Sequence, residues 1–407
     1  MALALVVFAP IGALASGGWM IVASPDAVGV PNSDLGGVAC SSPTACWTVG
    51  ASNTNRGSDD QTLIEKWDGT SWSIVTSQNA TTNDDLADVT CTSAASCWAV
   101  GYANNGTNYL TMIEFWNGTS WSIVSSQNVS STDNFLGAVS CVSASDCWTV
   151  GQSGTSLYQT LAEHWDGLSW TIASTLNPVT SQDNVFQDVT CSASNDCWGV
   201  GYSAPHGSNN AQTLTEHWDG SSWSAVAAPD PSTLDDLLAS VTCTSTSDCW
   251  AAGSQKESST SYQTLTERWN GTSWAVVTSQ DTSGTQDNFL YDVSCLSAME
   301  CWSVGTAASQ TFTQHWDGIS WTIAPSPDTS TSEPNYLFGL TCVPGSECWA
   351  TGNSTNSGGN DHTLTEELIS GPSPQVPDAP WAALIPLAGG AAVAVRRLVK
   401  RGFAIAG

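Results

Sequence analysis

The pattern Cys-x5-Cys-Trp occurs seven times, at Cys40/Cys46, Cys91/Cys97, Cys141/Cys147, Cys191/Cys197, Cys243/Cys249, Cys295/Cys301 and Cys342/Cys348, with periods of 51, 50, 50, 52, 52 and 47 residues. A period of this kind overrides any division of the chain into independent domains, because each unit buries its apolar face only by stacking on its neighbours. Structural zinc is the competing use of paired cysteines. It favours roughly two to four intervening residues and adds histidine, and no His recurs beside these pairs. The spacing therefore points to seven local disulfides, and oxidised pairs to an exported chain.

Every unit carries four short β-prone segments bounded by Gly, Ser, Asn or Asp. In the third they are FLGAVSC (135–141), CWTVG (147–151), QTLAEHW (159–165) and SWTIAS (169–174). Four strands per repeat, with no helical periodicity, predict an all-β propeller of antiparallel blades. The seventh unit has LFGLTC, CWATG and HTLTEEL but no fourth segment; GGWMIVASPD at 17–26 supplies it. A ring closed by an N-terminal strand in the last blade leaves no open array edge. With that strand outermost, the Cys-ending segment is innermost, and the disulfide hairpins staple the inner edge. The expected propeller is residues 16–371, with blades near 35–77, 86–126, 136–175, 186–228, 237–279, 290–326 and 337–370 plus 17–24.

The octapeptide EHWDGLSW (163–170) returns with small changes from residues 65, 114, 216, 267 and 314. Asp-Gly or Asn-Gly between two Trp reads as the turn joining third and fourth strands. Strand alternation places Glu163 and Trp165 on one face, so the Trp packs between blades and the Glu lies among apolar neighbours. Glu65, Glu114, Glu163, Glu216, Glu267 and Glu366 share this place with Gln314. A neutral substitute argues for a structural role, with an indole or hydroxyl as hydrogen-bond donor. The next position holds Lys66, Phe115, His164, His217, Arg268 and His315, too varied for metal ligation, while His206 and His362 fall in loops without an obvious partner.

The formal net charge is −29, and four of the eight basic residues are Arg396, Arg397, Lys400 and Arg401. So acidic a body repels phosphate backbones and anionic lipid, which excludes nucleic-acid binding. Residues 1–15 read as the apolar part of a signal peptide, 372–380 as a Pro-rich linker, and 381–401 as a hydrophobic and basic C-terminal anchor. Membrane contact is expected through that tail alone.

Acidic residues gather before each innermost strand: Asp34, Asp84, Asp85, Asp133, Asp183, Asp235, Asp236 and Asp287. These form the candidate ligand or cation site, with Ca2+ as the cation that hard oxygen ligands favour. The plain alternative is that they start strands and satisfy turn backbones. Asp88, Asp188 and Asp292 follow inside the inner strands. Gln187, Tyr291 and Phe338 narrow a channel otherwise lined by small residues. Tyr102, Tyr109, Tyr158, Tyr202 and Tyr262 fall in or near loops on the same face, a composition suited to carbohydrate or protein.

At CWAVG, WDGTSW and the VSC and VTC strand ends, the chain resembles uncharacterised secreted bacterial propeller proteins, from about Trp19 to Leu368. The resemblance implies a propeller at the cell surface, and the tail looks like a sorting signal without LPxTG. The WD dipeptides differ from those of WD-repeats, since Asp here begins a turn. Sialidase chemistry needs an arginine cluster that Arg56 and Arg268 cannot supply. The expectation is a monomeric, extracellular, non-catalytic scaffold for glycan or protein. A polysaccharide hydrolase or lyase using the mouth carboxylates is the alternative.

Overall fold

The computed structural model describes residues 18–54, 59–207, 210–256, 261–343 and 348–369. They form seven four-stranded antiparallel sheets, the blades of a β-propeller. In blade 3 the strands are Asp133–Ser143, Asp146–Gly154, Tyr158–Trp165 and Trp170–Ala173. Blades 1, 2, 4, 5 and 6 run over 32–74, 84–123, 182–225, 236–276 and 288–324. Blade 7 combines residues 335–369 with Gly18–Val22, whose register sets Trp19 opposite Leu368 and Ile21 opposite Glu366. The first strands start earlier than the sequence pattern suggests, taking in the acidic run. The signal-peptide, linker and anchor expectations lie outside the described residues. Among the described residues no helix is long and apolar enough to cross a membrane.

All seven cysteine pairs form disulfides between directly opposed residues of first and second strands, with Cα atoms 3.9–4.2 Å apart. Each closes a loop small enough to contribute about 2–2.5 kcal/mol on the chain-entropy account. Seven such bonds fit an oxidising, extracellular setting. The pairing agrees with the spacing, but the expectation of a simple edge staple needs correction, because the two cysteines of a pair are not equivalent. The first of each pair is half-buried, whereas Cys46, Cys97, Cys147, Cys197, Cys249, Cys301 and Cys348 are completely buried. Both meet the cluster built on the tryptophan of the blade before, the first cysteine at its edge and the second inside it. Cys97 packs in one cluster with Trp47, Cys147 with Trp98, Cys197 with Trp148 and Cys249 with Trp198. Cys301, Cys348 and Cys46 do the same with Trp250, Trp302 and Trp349. These seven sulfurs are therefore core atoms of the joints as well as cross-links, and they offer no surface to a ligand or a metal.

At the other hairpin, Gly69, Gly118, Gly167, Gly220, Gly271 and Gly318 all have φ between 89° and 95°. The preceding Asp or Asn caps the turn; in blade 3, Asp166 Oδ1 accepts from the N–H groups of Leu168 and Ser169, both at 2.9 Å.

The core lies in the joints between blades. The Trp after each second cysteine inserts against the third- and fourth-strand Trp of the next blade. Trp98 lies 4.8 Å from Trp165 and 5.2 Å, edge to face, from Trp170. Trp148, Trp198, Trp250, Trp349 and Trp47 repeat this geometry. Only the joint between blades 6 and 7 differs, because Leu368 stands where a third-strand Trp would be and Trp302 meets Trp19 alone. The variable residue after the third-strand Glu covers the inserted indole. Lys66, Phe115, His164, His217, Arg268 and His315 all sit within 5.2 Å of that ring. A flat or cationic group suffices there, which explains its variety.

Each first strand carries a β-bulge, in blade 3 between Leu136 and Ala138. The bulge presses backbone carbonyl oxygens toward the second strand. A Cβ on Gly151 would lie 2.0 Å from the Phe135 oxygen, and the equivalent glycines of the other blades meet the same contact at 1.9–2.0 Å. Thus the Gly of CWxxG is set by close backbone approach.

Candidate functional site

The connections between blades and the second-to-third-strand loops open on one face, and the eight candidate aspartates line up there in register. Their carboxylates are engaged within the protein. At the first position of the run, Asp133 Oδ1 accepts the Tyr109 N–H (3.0 Å), Asp183 that of Tyr158 (2.8 Å), Asp235 that of Ala211 (3.0 Å) and Asp287 that of Tyr262 (2.8 Å). Each therefore latches the inner strand of one blade to the third strand of the blade before it. At the second position Asp84 accepts from the Thr81 N–H (2.8 Å) and hydroxyl, and Asp236 from the Ser232 N–H (3.1 Å). Burial pushes Asp236 up to about 6. At the third position Asp85 accepts from the Tyr102 hydroxyl (3.2 Å), and Asp34 is buried.

Five of the eight are buried; Asp133, Asp183 and Asp287 stay half-buried. Among the described residues no group of three His, Cys, Asp or Glu side chains is close enough to hold a metal ion. The two loop histidines have partners that the sequence hid: His206 Nδ1 lies 2.9 Å from Asp183, and His362 Nδ1 lies 2.6 Å from Asp26. The tyrosines also differ from expectation. Tyr102, Tyr202 and Tyr262 fold into the joints and are buried, whereas Tyr109 and Tyr158 remain half-buried on the open face.

The channel is narrower and more asymmetric than the small-residue rule suggests. Tyr291 and Phe338 face each other at 5.4 Å and close one side together with Gln187. Between them run Asp88, Asp188 and Asp292, from blades 2, 4 and 6, while blades 1, 3, 5 and 7 put Gly37, Ala138, Ser240 and Gly339 at the same place. Every one of these aspartates reaches across to the next blade. Asp88 accepts the Val139 N–H (2.9 Å), Asp188 the Val241 N–H (2.7 Å) and Asp292 the Leu340 N–H (2.6 Å). Protein surrounds them closely although each keeps part of its surface on the channel, and burial raises Asp88 to about 7 and Asp188 to about 6, and lifts Asp292 well above the usual range. Asp188 adds repulsion at Asp88 and Asp292. The cavity they line is about 100 Å³.

Glu65, Glu114, Glu163, Glu216, Glu267 and Glu366 are fully buried in the joints, as is Gln314. Of the expected donors, an indole or a hydroxyl, only the hydroxyl occurs, at Glu366; elsewhere the donor is different. It is the backbone N–H of the residue leaving the preceding blade: Gln127 N–H to Glu163 (3.2 Å), Gln78 to Glu114 (3.4 Å), Leu176 to Glu216 (3.0 Å) and Gln280 to Gln314 (3.3 Å). Where that residue is proline the donor is missing. Glu65 follows Pro25 and Glu267 follows Pro229, and neither carboxyl has a partner; Glu366 follows Pro327 and is rescued by the Ser326 hydroxyl (2.7 Å). Burial raises Glu114, Glu163 and Glu216 to about 7, Glu267 and Glu366 to about 8, and Glu65 to about 9, with Asp26 repelling the last.

The sequence matches no protein-family model and no curated protein. Among solved structures it is similar to YCF48 bound to a D1 peptide, at 12% identity and TM-score 0.55 over 89% of this chain and 100% of that one. YCF48 from Cyanidioschyzon merolae is similar at 12% identity and TM-score 0.55, over 86% and 99%. A polysaccharide lyase, the PL25 ulvan lyase, reaches 11% identity and TM-score 0.47 over 88% and 96%. Likeness at such identities is a likeness of fold.

Proposed function

We propose that the protein is an exported, non-catalytic propeller that binds an extracellular polymer, protein or glycan, through its open-loop face. The observation that carries this reading is how the polar groups are used. The carboxylates an enzyme would need at the mouth hold backbone N–H groups across the joints instead. The axial cavity of about 100 Å³ is far below the roughly 300–1,000 Å³ of small-molecule pockets and admits water rather than a sugar ring. Wider clefts lie off the axis, about 340 Å³ beside Asp230, Ser232 and Asp236 and about 700 Å³ beside Asp248 and Arg268, and the loops differ from blade to blade on one face, a form suited to multivalent contact. The solved complex of YCF48 with a D1 peptide supports a propeller of this general shape accepting a polypeptide.

The test is retention of the oxidised protein on immobilised bacterial and plant polysaccharides and on extracellular proteins, in calcium and in chelator, with released sugar assayed in parallel. Retention without release is the expected result. Sugar release would replace the reading with a hydrolase or lyase, and calcium-dependent retention would restore the aspartates as a cation site.

A further inference from the structure

Two joints carry the same aromatic construction on the open-loop face. Between blades 5 and 6, Tyr262 immediately precedes a third strand and Phe289 lies 5.1 Å away at 36°. Between blades 2 and 3, Tyr109 and Phe135 occupy the equivalent positions, 4.8 Å apart at 35°. In both, the aspartate latch accepts the tyrosine's own N–H, from Tyr262 to Asp287 and from Tyr109 to Asp133. Two things differ: Tyr102 packs edge-on against Tyr109 and Phe135 (5.3 and 5.2 Å) where blade 5 has Ser254, and blade 5 adds a cation. Lys256 Nζ lies over the Tyr262 ring, 4.7 Å from its centroid, and that tyrosine is only 6% exposed.

Over Tyr109 there is no lysine, arginine or histidine among the described residues, and the ring is half-buried. Phe135 extends the aromatic surface toward Tyr158, 6.3 Å away and also half-buried. Asp133 and Asp183 border it, the latter paired with His206. A ring face flanked by carboxylates attracts an ammonium or guanidinium group through its quadrupole and through charge together. Blade 5 shows the arrangement filled from within the chain.

We propose that Tyr109, Phe135 and Tyr158, with Asp133 and Asp183, form a receptor for a lysine side chain of a protein partner, occupying the place that Lys256 takes over Tyr262. The inference rests on the open-loop face being the binding face and names the partner's chemistry there. The body's strong negative charge favours such a partner at long range but would bind any cation loosely, so the test must separate ring recognition from bulk charge.

With only seven tyrosines in the chain, ring-labelled tyrosine NMR reads each site directly. The probes are a short single-lysine peptide and the same peptide with acetyl-lysine, at matched high salt. Saturable shifts at Tyr109 and Tyr158 with the lysine peptide alone, and none at Tyr262, are expected. Lys256→Ala should make Tyr262 respond as well. Tyr158→Leu should weaken binding at Tyr109 about two- to fivefold, the other tyrosine signals reporting that the fold is intact. Equal shifts from both peptides, uniform shifts at all tyrosines, or an unresponsive Tyr262 in the Lys256→Ala protein would overturn the proposal. This readout is independent of polymer retention: failure here leaves the scaffold reading standing, and failed retention with a positive titration leaves the lysine receptor.

Discussion

The joint between blades 2 and 3 and the closing joint between blades 7 and 1 share a core and a strand-start latch, from the Tyr109 N–H to Asp133 in one and from the Asp361 N–H to Asn32 in the other, and differ in what else is laid over them. Trp98 packs on Trp165 and Trp170, and Trp349 on Trp67 and Trp72, with centroid separations matching to about 0.1 Å (4.8 and 5.2 Å against 4.7 and 5.1 Å). Across the first joint run three further ties. Asp88 holds the Val139 N–H, the Gln127 N–H reaches Glu163, and Gln127 Oε1 accepts the Ile172 N–H on the exposed outer strand (3.0 Å). The closing joint has Gly339 in place of the channel aspartate and Pro25 in place of the glutamine. A Cβ on Gly339 would lie 2.2 Å from the Gly36 oxygen, so the blades meet there as bare backbone. Beside the Asn32 latch (3.2 Å), its polar cross-tie is the Thr351 hydroxyl to that same Gly36 oxygen (2.7 Å). Apolar packing makes the ring; directional bonds fasten the joint between blades 2 and 3 harder than the joint that completes the circle.

The largest effect should come from what the joints share. Trp98→Ala and Trp349→Ala each remove a fully buried indole and should cost roughly 3–5 kcal/mol in denaturant unfolding. Similar losses would confirm that the cores are equivalent; a much smaller loss at Trp349 would mean that the closing joint is already loose in the native state. The next effect depends on pH and separates the joints. Glu65 keeps its proton in the folded protein up to about 9, whereas the unfolded chain releases it near 4.5. Its stabilising contribution is whole below pH 4.5 and is lost as pH rises toward 9. For Glu163 the loss ends near 7. Between pH 7 and 9 Glu65 therefore withdraws roughly 2 kcal/mol, at about 1.4 kcal/mol per pH unit. Glu65→Gln should flatten that part of the stability curve and Glu163→Gln should leave it unchanged; blade 6 already accepts Gln314. Equal flattening by both variants would show that proline makes no difference.

Much of this was legible in the chain, and the limit has a physical cause. Strand order, blade number, disulfide pairing and the closing role of Trp19 follow from a repeat aligned on itself, because each depends on one unit or on a missing segment. Contacts between units do not. Glu163 takes its proton donor from Gln127, 36 residues earlier, and Tyr109 is latched by Asp133, 24 residues later. Both positions recur in every repeat, though not always with the same residue, so alignment shows the positions but not which neighbour each one faces. The unequal burial of Cys141 and Cys147 was hidden for the same reason, since the cluster built on Trp98 of the preceding blade encloses Cys147 and is met by Cys141 only at its edge. One signal was available: the residue six after each fourth-strand Trp is Gln at 78, 127 and 280 but Pro at 25, 229 and 327. Proline removes a backbone donor, which marks joints where a third-strand Glu must be held otherwise. The buried tyrosines were misplaced because nearby loop composition says polar surface, whereas Tyr102 and Tyr202 belong to second strands inside the blades and Tyr262 lies beneath Lys256.

Asp88→Ala strips the Val139 N–H of its acceptor inside the channel. A loss of about 1–3 kcal/mol is expected, with hydrogen exchange at Val139 accelerated to resemble the closing joint. Unchanged protection would mean that channel water substitutes for the carboxylate. The smallest effect concerns the outer edge. Gln127→Ala withdraws the side-chain cap from the Ile172 N–H and should cost about 0.5–1 kcal/mol, read most directly as faster exchange at that one amide. Pro25→Gln is the reverse experiment, since glutamine supplies both the backbone donor that Glu65 lacks and a side chain able to cap the Ile74 amide. If the two joints differ for the reasons given, this single change should bring the titration of Glu65 down toward that of Glu163 and slow exchange at Ile74. Were Glu65 to titrate as before, its elevation would belong to burial and Asp26 alone, and the missing N–H would be a consequence of the closure rather than a cause of its weakness.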